Sequence, residues 1–194
     1  MPSMPADEPL LEFPDREAWT AWLADNGESS SGVWLKLARK DGGERSLTYA
    51  EALDAALCHG WIDARKGGID ERHWRQRFTP RTARSRWSKR NRQRAEELLA
   101  RGEMAPAGVR EVEAARADGR WEAAYDSPAT AEVPPDLQAA LDADPAAREF
   151  FAGLDRANRY AILYRLQEAR RPETRARRLE KFVGMLRDGR RIHE

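Results

Sequence analysis

A single cysteine, Cys58, serves this whole chain of 194 residues. An internal disulfide is therefore excluded, and a reducing compartment suits the composition. Three histidines, His59, His73 and His193, stand too far apart for a metal-ligand spacing, so no metal is expected. No apolar stretch approaches the roughly 20 residues that cross a bilayer. The opening residues, MPSMPADEPLLEFPD, have neither a basic start nor an apolar run, so no secretory signal is read and a cytoplasmic location is expected. Gly67-Gly68 follows a strand pattern without the further glycines of a nucleotide fingerprint, and no cofactor is expected.

Acidic residues are missing from one window in particular. Between Arg72 and Ala95 there are nine arginines, one lysine, Trp74, Phe78 and Trp87, and no Asp or Glu. The chain as a whole has a formal net charge of only +1, so the remainder is net negative. Segregated guanidinium groups interleaved with aromatic rings recognise phosphate, carboxylate or an anionic polymer. The same pattern also describes a solvated strand and helix docked on acidic neighbours. Seven tryptophans argue against disorder and for a packed core.

Local signals outline an α+β fold: a small antiparallel sheet packed with helices, followed by a helical C-terminal subdomain. Residues 1–14 read as an extended arm, 15–125 as the α+β domain, 126–135 as a linker and 136–194 as the helical part. Asp15 is the N-cap of a first helix with Trp19, Trp22 and Leu23 on one face, ended by Asn26-Gly27. Val33, Leu35 and Leu37 alternate with Trp34, Lys36 and Ala38 as a strand, which Asp41-Gly42-Gly43 interrupts. Thr48 and Glu51 make a capping box for a second helix, and Gly60 stops it. Within it, Cys58 reads as a small core residue and His59 as a helix C-terminal group favourable to the dipole when protonated.

Segments 61–66 and 72–78 then form a hairpin around a loop from Gly67 to Glu71. Placing Asp63 opposite Arg75 puts Ile62, Ala64, Trp74, Gln76 and Phe78 on one mostly apolar face. The other face gathers Trp61, Asp63, Arg65, Arg75 and Arg77. Two planar five-donor forks beside an indole platform suit a flat anionic ligand, with Asp63 orienting one guanidinium. A purely structural use is equally readable there: an Asp63–Arg75 cross-strand pair and a Trp61–Arg77 stack, each worth about 0.2–1 kcal/mol.

After Pro80, the residues Arg81, Arg84, Ser85, Arg86, Trp87 and Ser88 form a second ligand-binding candidate. Ser85 or Ser88 caps a helix running to about Arg101, where free N–H groups make an anion site that the arginines reinforce. Without an anion, positive charge at a helix start opposes the macrodipole. A further helix runs from Pro106 to near Asp118-Gly119. In the last part Asp144-Pro145 is an N-cap with Pro at N1. Phe150, Phe151, Leu154, Tyr160, Ile162, Leu163 and Leu166 form apolar faces, and Pro172 opens a last helix carrying Leu179, Phe182, Val183 and Leu186.

Four segments, LTYAEALDAALCHGWIDARKGGID (47–70), RQRFTPRTARSRWSKRN (75–91), GRWEAAYD (119–126) and RRPETRARRLEKFVGMLRDGR (170–190), together resemble the YdeI/OmpD-associated, or bacteriocin-protection, family. The resemblance covers roughly 16–190, with Pro172, Thr174, Arg175 and Arg178 in its RPETR-type motif. It implies a role in tolerance of antimicrobial peptides or bacteriocins and an association with an outer-membrane porin in a periplasmic setting, and the family carries no established enzymatic activity or cofactor. A porin contact requires export, which is not expected where no secretory signal is read. Three functions follow as expectations: a non-enzymatic stress-tolerance protein binding an anionic small molecule or acidic partner through the 61–88 surface; a nucleic-acid binder using the 72–94 tract; or an enzyme with a site around Asp63, Arg75 and Arg77.

Overall fold

The computed structural model describes residues 8–39 and 46–193. The interruption expected at Asp41-Gly42-Gly43 and the first half of the arm lie outside the described residues. The chain divides into two compact units: residues 1–87 with 91–123, and residues 88–90 with 124–194. An α+β unit followed by a helical unit is the architecture the sequence pattern predicts.

The first unit holds strands β1 (Leu10–Leu11), β2 (Val33–Ala38), β3 (Trp61–Gly68) and β4 (His73–Pro80). Its helices are α1 (Arg16–Asn26), α2 (Tyr49–Cys58), α3 (Lys89–Ala100) and α4 (Pro106–Ala117), with the first two residues of α3 grouping with the other unit. The caps form where local chemistry demands them. The Asp15 carboxylate accepts the Ala18 N–H at 2.9 Å, and Thr48 and Glu51 close a reciprocal capping box. The strand order is β1-β2-β4-β3. Three strands are antiparallel neighbours as expected, but β1 joins β2 in parallel, because the arm approaches the sheet edge from the same end.

One face of the sheet is closed by helices. There Trp19 stacks on Trp22 with centroids 5.3 Å apart and meets Trp61 and Phe78 at 6.3 and 5.9 Å. The indole N–H groups of Trp19 and Trp61 donate to the Ala52 and Gly27 carbonyls, both at 3.1 Å, so these rings are buried without orphaned donors.

The hairpin register differs from the one read in the sequence. Asp63 faces Phe78, whereas Arg75 faces Gly67, and β3 continues through Gly68. Between Asp63–Phe78 and Lys66–Gln76, β3 advances three residues while β4 advances two, which is a β-bulge. Trp61 and Asp63 therefore share the helix-covered side with Phe78. Ile62, opposite Thr79, turns to the other side, and Ala64 at the bulge is exposed. The physical reason is volume: an indole of this size gains most by burial among Trp19, Trp22 and Phe78, and one extra residue reconciles that demand with the glycine end of the strand.

The second unit contains α5 (Pro135–Asp142), α6 (Pro145–Ala152), α7 (Arg156–Gln167) and α8 (Pro172–Arg187). Asp144 accepts the Ala147 N–H at 3.1 Å with Pro145 at N1, and Pro172 starts α8. Leu137, Leu141, Phe151, Ile162, Leu166 and Phe182 are among the residues of its buried core. The arginines of the RPETR-type motif are staples here. Arg175 grips Asp136 with Nε and Nη2 at 2.6 and 2.9 Å and donates to the Leu166 carbonyl at 2.8 Å. Arg178 donates to the Arg165 carbonyl. Both cations thus satisfy last-turn carbonyls of α7, where the helix dipole favours positive charge.

Candidate functional site

The bulge separates the residues that the sequence reading placed on one face. Trp61 is buried, and Asp63 accepts the Tyr49 hydroxyl at 2.8 Å on the helix side. Arg75 and Arg77 lie on the opposite side of the sheet, and Arg65 sits exposed in the bulge. Arg75 places its guanidinium 4.8 Å from the Trp34 ring centroid, and Arg77 forms a bidentate pair with Glu8. The proposed Trp61 platform and Arg75/Arg77 forks therefore do not converge.

The segment after Pro80 is also drawn inward. Arg81 is 6% exposed, stands 3.5 Å from the Trp87 ring centroid and donates to the Arg86 carbonyl. Trp87 is itself buried edge-on to Trp121 at 4.8 Å. Ser85 does not cap the helix, which begins at Lys89 directly after Ser88. Its hydroxyl instead accepts the Thr82 N–H at 2.9 Å and closes a turn. Buried Arg120 donates to the Thr82 and Ser85 carbonyls at 3.3 and 3.0 Å, fixing that turn from below. Arg84 remains exposed. Farther along the tract, Arg94 pairs with Asp54, its Nη2 at 2.8 Å.

The titratable groups of α2 do not form a nucleophilic pair. Burial pushes the Cys58 thiol up to about 11, which leaves it protonated at neutral pH. His59 stands at the helix C-cap as expected, but burial lowers its pKa and so opposes the protonated state that would have favoured the dipole. His73 has its Nδ1 3.0 Å from the Asp70 carboxylate on an exposed turn.

A different arrangement emerges on α7. The positions 156, 160, 164 and 168 recur every four residues and form a stripe on the side of the helix opposite the core row of Asn158, Ile162 and Leu166. Arg156, Tyr160, Tyr164 and Glu168 occupy it, with Ala157, Ala161 and Arg165 on the adjoining row. These side chains, with Pro128 and His193, line an open cavity of about 610 Å³. That volume lies within the range of small-molecule sites.

The floor is aromatic. Tyr160 and Tyr164 have centroids 5.7 Å apart, and Tyr164 meets Tyr125 edge-on at 5.3 Å. The Tyr160 hydroxyl donates to the Asp126 carbonyl at 2.8 Å, which fixes its ring. Tyr160 is thus a groove residue, not the core residue its helical spacing predicted, because its hydroxyl needs a polar partner at the rim. The small alanines leave room between the rings and the ends. Arg156 and Arg165 mark those ends, about 14 Å apart along the helix axis at a rise of 1.5 Å per residue.

Charge distinguishes this groove. Arg156 donates to the Pro128 carbonyl at 3.4 Å and Arg165 to the Ala161 carbonyl at 3.3 Å. Among the described residues, neither pairs with a carboxylate, so most of their donors face outward. Glu168, the one acidic lining residue, is engaged by Arg178 at 3.2 Å. The edge near His193 is fixed by buried Asn158, whose Oδ1 accepts the Ile192 and His193 N–H groups at 3.0 and 2.8 Å. Beyond Arg165, a second cavity of about 370 Å³ continues the basic surface with Arg178, Lys181 and Arg191. Planar rings between separated guanidinium groups suit an anion with a flat or apolar body.

Fold and groove define a two-unit α+β protein whose helical unit carries an aromatic, cation-ended cleft. A family model described as a domain of unknown function, DUF8412, matches residues 11–111, just over half of the chain, and the chain belongs to that family. A second, described as bacteriocin-protection, YdeI or OmpD-associated, matches residues 130–189, so the YdeI/OmpD-associated resemblance is shown and resides in the helical unit. No curated protein and no solved structure matches the chain.

Proposed function

We propose that this is a non-enzymatic protective protein that binds an anionic ligand with a planar or apolar body in the α7 groove. The observation that carries this reading is the pair Arg156 and Arg165, both without carboxylate partners among the described residues, at the two ends of the Tyr160–Tyr164 floor. The bacteriocin-protection description of the matched segment supports a role in tolerance, and the groove lies within that segment's range or beside it. Electropositive lining favours an acidic species over a cationic peptide as the direct ligand. The cytoplasmic location and the acidic-partner reading belong to the same proposal, with protection arising by sequestration.

The test uses two probes of similar shape, anionic 8-anilinonaphthalene-1-sulfonate and uncharged N-phenyl-1-naphthylamine, in calorimetric titrations of the full chain. The sulfonate binds and the neutral compound binds far more weakly. Arg156→Ala and Arg165→Ala each weaken the sulfonate about tenfold or more, as loss of a charge-assisted hydrogen bond implies. Arg110→Ala, which removes an exposed pair with Glu28, leaves binding unchanged. Equal binding of both probes, or indifference to both groove arginines, rejects the reading.

A further inference from the structure

The sheet face that the helices leave open carries a second anion-recognising device, independent of the α7 groove. It is already occupied by the chain itself. Glu8 places its carboxylate on the Arg77 fork, with Arg77 Nε at 2.7 Å. The Glu8 side chain is only 7% exposed. Four residues on, Glu12 meets Lys36 Nζ at 3.0 Å. Between them Pro9 accepts the Trp34 N–H at 2.9 Å, and Leu10 and Leu11 run parallel to Trp34 and Leu35.

The receiving side is shaped for a carboxylate. A Cβ on Gly32 would stand 2.9 Å from Glu8 Oε1 and 3.1 Å from Thr79 Cγ2, so only a glycine leaves the space the carboxylate fills. The Gly32 φ of 154° adds a backbone reason for glycine there. Arg77 holds the Glu8 carboxyl below its ordinary range, and Glu8 raises the Arg77 guanidinium in return. By contrast, the arm's own apolar contribution to this face is small: Leu10 is 47% exposed. The arm is held by main-chain hydrogen bonds at a sheet edge, by two ion pairs at fixed spacing and, just past Glu12, by the Phe13 ring, which meets Trp19 at 5.2 Å and Trp22 at 6.4 Å. Those are the elements by which an added strand is recognised, with the main chain supplying affinity and alternate side chains supplying specificity.

We propose that the β2 edge and Arg77 form a reading site for an extended acidic segment of a partner protein, with Glu8–Glu12 as its resident occupant. The segment it fits has a glutamate for the Arg77 fork, two apolar residues along β2, and a second acid four positions after the first for Lys36. Nothing in this hold is unique to the tethered arm, so an incoming segment with the same charge spacing replaces it. Tethering gives the arm an effective concentration on the order of millimolar, which keeps the edge closed to weak competitors.

The test uses the full chain and a fluorescein-labelled peptide of the arm's own sequence, ADEPLLEFP, followed by anisotropy. Glu8→Gln removes the resident carboxylate while keeping its shape, and raises peptide affinity about tenfold or more over the parent. Arg77→Ala abolishes peptide binding in either background. A peptide with Gln in place of its first Glu fails to bind Glu8→Gln protein. Circular dichroism melting of each variant confirms that it is folded before titration. The proposal is overturned if folded Glu8→Gln binds the peptide no better than the parent, or if the Gln peptide binds equally well. It is also overturned if the chain forms dimers by exchanging arms and binds no peptide, which light scattering detects.

Discussion

The side-chain amide of Gln76 donates to the main-chain carbonyl of Arg65 at 3.1 Å, across the strand pair and into the bulge. The same Nε2 lies 3.3 Å from the Ala64 carbonyl and 3.2 Å from that of Arg77. The bulge removes ladder partners from β3, and a buried amide supplies donors in their place. Gln76 thus braces the bulge that the burial of Trp61 requires.

Replacing Gln76 by Met keeps most of the volume and removes the donors. The expected loss is about 1–3 kcal/mol, the cost of leaving backbone acceptors without their partner. Urea unfolding measures it, and an unchanged midpoint would sink the assignment of Gln76 as the bulge's brace.

Gly108 on α4 packs directly on the C-terminal end of α2. A Cβ there would lie 2.2 Å from the Cys58 carbonyl oxygen and 2.8 Å from that of Leu57. Alanine gains about 1 kcal/mol of helix propensity over glycine. Overpacking costs about 1–3 kcal/mol and meets backbone, which cannot turn aside. Gly108→Ala is therefore expected to destabilise the protein, and a raised melting temperature would show that the two helices separate more easily than their contact implies.

The Cys58 thiol, 4% exposed and pushed up to about 11, is expected to resist alkylation by iodoacetamide at pH 8 in the native state. In urea the unfolded thiol returns to about 8.5 and reacts readily. Mass spectrometry of intact protein separates the two cases, and rapid native labelling would contradict the burial.

The Asp136 carboxyl is held below the ordinary aspartate range, first by its hydrogen bonds to Arg175 and further by the Leu137 N–H. A depressed folded value means the stabilisation is present above the unfolded pKa, about 3.9, and fades as pH falls through the folded value. The stability gap between the parent and Asp136→Asn should thus be constant from neutral pH to about 4.5 and shrink below about 4. Denaturant midpoints from pH 7 to 2.5 read this directly; a gap that widens on acidification reverses the sign and refutes the linkage.

Much of the helical framework was legible because capping is decided within four residues. Asp15, the Thr48–Glu51 box and Asp144-Pro145 act on their own first turns and need no distant partner. The arginine tract was visible for the same reason, as composition. What its arginines do was not visible, since Arg75, Arg77 and Arg81 take Trp34, Glu8 and Trp87 as partners, and the Glu8 pairing spans most of a domain. The α7 groove gave a faint signal in the four-residue recurrence of Arg156, Tyr160, Tyr164 and Glu168. That stripe reads as core or solvated face until its neighbours are placed.

The sequence by itself determined the α+β order, the helix starts set by Asp15, Thr48, Asp144 and Pro172, and the concentration of positive charge after residue 72. Tertiary structure alone decided which side of the sheet each hairpin residue occupies. One inserted residue in β3 reverses the facing of everything before it, so alternation cannot choose a register without the partner strand. Burial of Trp61 among Trp19, Trp22 and Phe78 is what makes that choice, and it sends Arg75 and Arg77 to the opposite face.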